Sequence, residues 1–136
     1  MSIFQLFYVS EAAEPHDRDA VREILQASRR NNWRLDITGC LLVSGRYYGQ
    51  VLEGSKPAVA ALAARISTDP RHGRVRVLSE TESSTRRYND WSMAHMYDLS
   101  LEDELAALLL GDGQPASARV AAILAKMQPD TVMGSL

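Results

Sequence analysis

The stretch Ile37-Thr38-Gly39-Cys40-Leu41-Leu42-Val43-Ser44-Gly45-Arg46-Tyr47-Tyr48-Gly49-Gln50-Val51-Leu52-Glu53 decides the fold. It reads as two strands, about Ile37 to Ser44 and Arg46 to Glu53, joined at Gly45 as a hairpin. On its N-terminal side a helix is predicted from about Asp17 to Asn32. Its apolar stripe is Val21, Ile24, Leu25 and Ser28, with Arg18, Arg22, Arg29 and Arg30 off the stripe. Before that helix, Ile3 to Ser10 is rich in aromatic and β-branched residues and reads as a strand. Phe4, Leu6, Tyr8 and Ser10 share one face, and Ile3, Gln5, Phe7 and Val9 the other. Both faces are largely apolar, which predicts a central strand covered on both sides. The connection from Glu11 to His16 is polar and contains Pro15.

On the C-terminal side Ser55 is placed to cap a second helix and Pro57 falls in its first turn. That helix is expected to reach about Thr68, with Val59, Leu62, Ala63 and Ile66 facing the core. Val75 to Leu78 reads as a fourth strand, Glu80 to Asp90 as a polar loop, and Trp91 to Leu99 as a fifth strand. The order β-α-β-β-α-β-β is the ferredoxin-like pattern with one extra strand, an α+β fold with both helices on one face of a five-stranded mixed sheet. Two short helices follow, with stripes Leu101, Leu105, Leu108 and Val120, Ile123, Leu124, Met127, broken apart at Gly111 to Pro115. A sheet with helices on one face leaves the other to be covered, and this tail is expected to cover it.

The chain has 136 residues, 46% apolar and 24% charged, the balance of a single globular domain. Its net charge is −2, from 15 basic and 17 acidic residues, so no strong field points to nucleic acid or an anionic membrane. The lone Cys40 excludes an internal disulfide and a multi-cysteine zinc site. Apolar runs such as Leu105 to Leu110 fall far short of the roughly 20 residues of a membrane span. The N-terminus lacks the basic start and long apolar core of a signal peptide. A soluble cytoplasmic protein is expected. Neither a Walker A loop nor a dinucleotide glycine fingerprint occurs, and no serine, histidine and aspartate arrangement resembles a nucleophile site. His16, His72 and His95 lack metal-ligand spacing. No aromatic stacking motif of an RNA-recognition sheet stands out.

Several polar residues fall where a core is expected. Asn31 and Asn32 extend the stripe of the first helix. Either they end the helix as caps, or they are core-facing amides that need a polar partner, since an unsatisfied buried group costs about 1–3 kcal/mol. Their mixed donors and acceptors suit an imide-like edge, such as a base or a flavin ring. Gln50 shares a strand face with Tyr48 and Leu52, so it faces either the core or water. Tyr8 is an ordinary core tyrosine or a partner for Gln50, if strands one and three are neighbours. Arg65 and Asp69 are spaced as an i, i+4 pair, either a surface ion pair or an arginine free to hold a ligand. His72 reads as a surface or turn histidine. Trp91 and Met93 alternate on the fifth strand, as core residues or beside an aromatic ligand.

Taken together these residues resemble the BLUF domain, the blue-light sensor using flavin. The carriers are Tyr8-Val9-Ser10, Ser28-Arg29-Arg30-Asn31-Asn32, Ile37-Thr38-Gly39, Tyr48-Gly49-Gln50-Val51-Leu52-Glu53-Gly54, Asp69-Pro70-Arg71-His72 and Arg87-Tyr88-Asn89-Asp90-Trp91-Ser92-Met93. Gly49 stands where a larger residue is common, and Tyr48 where phenylalanine is usual. The resemblance implies a flavin between the two helices, its ring edge toward the sheet. FAD is the expected cofactor, with FMN or riboflavin able to occupy the site. Asn32 would pair with the pyrimidine edge of the ring, with Asn31 and Arg65 assisting and Asp69 and His72 near the flavin. No metal is implied.

The resemblance also implies a light-driven cycle with no net product, a sensor rather than an enzyme. Tyr8 would donate an electron and then a proton to the excited flavin, and Gln50 would rearrange its hydrogen bonds. A small red shift would follow and decay in the dark. Trp91 and Met93 would relay the change. Residues 1–99 would form the flavin-binding sensor and residues 100–136 a helical extension that covers the sheet and provides the output surface. The implied partner is a separate downstream protein or another copy of the chain in a homo-oligomer, with neither nucleic acid nor membrane involved. Two other classes compete: a flavin-free interaction module with this fold, and a flavoprotein doing redox chemistry in the dark.

Overall fold

The computed structural model describes residues 2–14, 18–89, 92–113 and 115–128. The elements are β1 (Ile3–Ala12), α1 (Arg18–Leu35), β2 (Thr38–Ser44), β3 (Tyr47–Gly54), α2 (Lys56–Ser67), β4 (His72–Ser83), β5 (Ala94–Tyr97), a 3-10 turn (Leu99–Leu101), α3 (Glu102–Leu110) and α4 (Ser117–Lys126). The sheet order is β4-β1-β3-β2-β5. All pairs are antiparallel except β2 with β5. This is the ferredoxin-like fold with a fifth strand that the sequence predicts.

The hairpin turns at Gly45, whose φ of 59° is disfavoured for a residue with a side chain. The tail secures this turn, because the Glu102 carboxylate accepts the Arg46 N–H at 2.7 Å. In α2, Ser55 caps as expected, its hydroxyl accepting from Ala58 N–H at 3.3 Å. In α1 the helix runs past Asn32 to Leu35, and Asp36, with φ of 55°, takes the left-handed position. Ile37 N–H reaches back to Asn32 C=O at 2.9 Å and closes a Schellman motif. Asn31 and Asn32 are therefore helical residues and not the cap.

Each face of the sheet has its own core. Phe4, Leu6, Tyr8, Tyr48 and Leu52 pack with Val21, Ile24 and Leu25 of α1 and Val59 of α2. On the opposite face Phe7, Val9, Cys40, Leu42 and Val51 pack with Leu105, Leu108 and Leu109 of α3 and Val120 and Ile123 of α4. Each such side chain contributes about 1.5–3 kcal/mol by leaving water.

Further boundaries depart from the sequence reading: β1 runs on to Ala12, and β4 begins at His72 and not Val75. β4 runs through Ser83, so Glu80 to Ser83, expected in a loop, pair with β1 instead. β4 lies at the sheet edge with its far half exposed, so no apolar alternation marks those residues. β5 is shorter than expected. Ser92 and Met93 precede it, and Leu99 lies in the 3-10 turn beyond it. The expected helix start at Asp17, the connection through Pro15 and His16, and Trp91 lie outside the described residues.

Candidate functional site

Tyr8 on β1 and Gln50 on β3 are direct partners across the antiparallel pair. Period-two alternation turns both side chains toward the helices, and both are buried. The Tyr8 hydroxyl donates to Gln50 Oε1. Gln50 Nε2–H in turn donates to Met93 Sδ at 3.3 Å. Tyr8 is held well above the usual phenol range, first by burial, then by the negative Asp69 and by Tyr48. The phenol is thus protonated at neutral pH and keeps its proton for Gln50. β3 lies between β1 and β2, so Gln50 is in the centre of the sheet and not at a water-facing edge.

Asn32 is fully buried, and its Nδ2–H donates to the Ser92 carbonyl at 3.1 Å. Its Oδ1 is buried without a partner. An acceptor left bare in the core is costly unless a donor arrives from elsewhere. Asn31, one residue earlier, is half-buried.

These side chains border a cleft of about 200 Å³ between α1 and α2. Its polar lining includes Asn31, Asn32, Gln50, Arg65, Asp69 and His72, and its apolar lining includes Ile24, Leu62 and Ile66. Amides and aliphatic side chains lining one cleft suit a flat heteroaromatic ring with a polar edge. Two other clefts are larger. The one of about 260 Å³ near Tyr48 and Tyr97 and the one of about 310 Å³ between α3 and α4 gather none of these amides.

Asp69 does not pair with Arg65. It follows the end of α2, and its carboxylate is gripped by Arg71, whose Nη2 lies 2.6 Å from Oδ2 and whose backbone N–H lies 2.9 Å from Oδ1. Arg71, chiefly through its side-chain hydrogen bonds, holds the Asp69 carboxyl below the usual carboxylate range. Arg65 keeps its position in the cleft wall. His72 is not a surface histidine. It opens β4, is buried, and has Nδ1 2.8 Å from Ser10 Oγ. Its ring stands edge-on to Tyr8 and Tyr48, at centroid distances of 6.0 and 5.3 Å. Burial pushes its pKa down to about 4, against the opposing pull of Asp69, so the ring is neutral near pH 7.

Met93 is buried with its sulfur on the Gln50 amide. Cys40 is buried and its thiol is pushed up to about 12, mainly by burial, so it is no nucleophile at neutral pH. Among the described residues no three His, Cys, Asp or Glu side chains gather as a metal site. No described helix is long and apolar enough to cross a membrane. Sequence reasoning overlooked Ser92, whose carbonyl binds Asn32, because backbone acceptors leave no mark in a sequence. It also overlooked Arg29, which reaches the Met93 carbonyl at 3.2 Å from off the apolar stripe of α1.

Comparison with known proteins agrees with this geometry. The family model described as BLUF, sensors of blue-light using FAD, matches residues 3–94. The photoactivated adenylate cyclase subunit alpha of Euglena gracilis is 32% identical over 101 residues, covering 73% of this chain and 10% of that protein. The blue light- and temperature-regulated antirepressor BluF of Escherichia coli strain K12 is 30% identical over 98 residues, covering 72% of this chain and 24% of that protein. The chain thus spans between a tenth and a quarter of the length of these relatives. Among solved structures, the dark state of the BLUF protein BlrB superposes with a TM-score of 0.74 at 30% identity, covering 99% of this chain and 98% of that one. The BlsA ground state, at 23% identity and a TM-score of 0.76, covers 100% and 95% and shares the fold.

Proposed function

This chain belongs to the BLUF family, the sensors of blue light using FAD, and from that premise we propose that Tyr8 and Gln50 form its photochemical switch. The family is one of flavin photoreceptors. FAD is the flavin we assign to the cleft between α1 and α2. FMN or riboflavin would also be accepted, because the polar lining converges on a ring edge. Asn32 Oδ1, buried and partnerless, takes a donor from that edge. Asn31 and Arg65 hold the ring or its substituents, and Asp69 and His72 complete the wall.

When bound, the flavin supplies a one-electron oxidant generated by blue light. Tyr8 would give an electron to that oxidant, and its phenolic proton would leave along the existing bond to Gln50 Oε1. Gln50 then carries the memory. Its amide is donor on one end and acceptor on the other, so a rotation or a change of tautomer reverses what it offers to both neighbours. Tyr8 recovers its electron and proton, and the new hydrogen bonds outlast the excitation, so no net product forms. Met93 feels the change directly through its sulfur, and Trp91 is assigned to the same relay.

The relay leads toward the tail. Tyr88, five residues before Met93, donates its hydroxyl to the Met127 carbonyl at 2.6 Å, at the end of α4. Residues 1–99 then act as sensor and residues 100–136 as output surface. The partner is a separate protein or a second copy of the chain, and neither nucleic acid nor membrane is invoked. The chain works in the cytoplasm with no catalytic activity of its own. The adenylate cyclases and the antirepressor among its relatives illustrate outputs that a light sensor controls.

The chain Tyr8 Oη–H to Gln50 Oε1, with Gln50 Nε2–H to Met93 Sδ, carries this reading. Absorption spectra of the flavin-loaded protein, before and after a blue flash and then in darkness, test it. A small red shift that decays supports the switch. Flavin that only bleaches points to dark redox chemistry instead, and a protein that refuses added flavin leaves an interaction module.

A further inference from the structure

We infer that Arg29 is a positioning residue for the switch, acting through the backbone of Met93. This rests on the assignment of Gln50 as the switch. Arg29 and Asn32 lie one turn apart on α1 and hold consecutive carbonyls. Asn32 Nδ2–H donates to Ser92 C=O at 3.1 Å, and Arg29 Nε–H to Met93 C=O at 3.2 Å. Methionine has three rotatable bonds and adapts readily, so its own packing fixes the sulfur poorly. Arg29 fixes the peptide from which that side chain springs. Gln50 Nε2 then finds the sulfur at 3.3 Å.

The arginine occupies this place at a cost. Its Nη2 is buried without a partner, and so is Nδ1 of His95, whose ring is near enough to feel the Arg29 charge. Burial weakens the hold of Arg29 on its own proton. Stability alone gives no reason to keep a bare guanidinium edge there. Arg29 is not among the residues that line the cleft, so its replacement is expected to leave flavin binding in place.

The chemistry sets the direction of the effect. A thioether accepts hydrogen bonds and donates none. A Gln50 that turned its oxygen toward Met93 would set two acceptors face to face. By keeping the sulfur in place, Arg29 penalises the shifted state and speeds its return.

The test measures dark recovery of the flavin-loaded full chain after a blue flash. Arg29→Met keeps the unbranched stem out to the position of Nε and loses the donor. It is expected to bind flavin, shift by the same amount and recover about three- to tenfold more slowly, the worth of one net hydrogen bond. Arg29→Lys, which restores a donor, is expected to regain most of the rate. In a Met93→Leu background the Arg29→Met change is expected to have no further effect, an outcome a merely structural role would not give. Arg29→Leu, which also lacks a donor, stands in, with the same two outcomes, if Arg29→Met does not fold. Recovery of Arg29→Met within twofold of the unmodified protein overturns the inference. An equal slowing in the Met93→Leu background overturns it too. An unmodified protein with no flash-induced shift overturns the switch assignment itself, and this inference with it.

Discussion

Tyr8 donates to the oxygen end of the Gln50 amide, and the nitrogen end of the same amide donates to Met93. The three side chains form one directed line from β1 through β3 to the residue preceding β5. The group in the middle of that line accepts from one neighbour and donates to the other, so turning it reverses both bonds, and that group is Gln50. Gln50→Leu is therefore expected to retain flavin and lose the persistent red shift. Tyr8→Phe removes both the transferable proton and the easily oxidised phenol, and is expected to do the same. Flash spectroscopy on the two flavin-loaded variants decides it, and a normal photocycle in either removes that residue from the switch.

Asn32 offers a second, separable outcome. Asn32→Ala deletes one hydrogen bond to Ser92 and also the bare Oδ1. In the flavin-free protein these changes oppose each other, so stability is expected to move by less than about 1 kcal/mol. Flavin binding has no such compensation and is expected to weaken about tenfold or more, since each tenfold is about 1.4 kcal/mol. Denaturation of the apoprotein and flavin titration measure the two quantities independently.

Tyr8, Gln50 and Asn32 were legible because strand alternation and helical periodicity place a side chain on a face, and a polar residue on a core face stands out. His72 was not. Its burial comes from β4 lying beside β1, where Ser10 meets it, and a separation of 62 positions hides that contact from any local pattern. The ion-pair alternative for Arg65 and Asp69 fails because the i, i+4 rule holds only inside a helix, and α2 ends at Ser67. The far half of β4 reads as loop because a solvent-facing edge strand needs no apolar period.

Glu53 should be a stability determinant rather than a switch residue. Its fully buried carboxylate accepts the backbone N–H groups of Arg87 at 2.6 Å and Tyr88 at 2.9 Å. It also accepts from Gln5 and Thr38, each at 3.1 Å. Glu53→Leu takes the acceptor from all four donors, of which the Tyr88 N–H is buried, and is expected to cost about 1–3 kcal/mol, the penalty of a buried donor left unpaired. Glu53→Gln keeps part of the acceptor set and is expected to cost less. Urea denaturation ranks the two, and equal losses would show that charge, not acceptor count, holds the segment.

His72 gives the protein an acid limit. In the folded chain its pKa is about 4, whereas an unfolded histidine titrates near 6.5. Between those values the unfolded chain binds more protons than the folded one, so stability rises with pH across that window and falls on acidification through it. The full difference is worth roughly 3 kcal/mol. Asp69 acts in the same direction at lower pH, because Arg71 keeps its carboxylate charged until the medium is more acidic. His72→Gln preserves a polar partner for Ser10 without a titrating ring, and is expected to flatten the stability profile between pH 6.5 and about 4. Chemical denaturation at several pH values in that range measures the slope. A slope unchanged by His72→Gln would assign the acid sensitivity to another group.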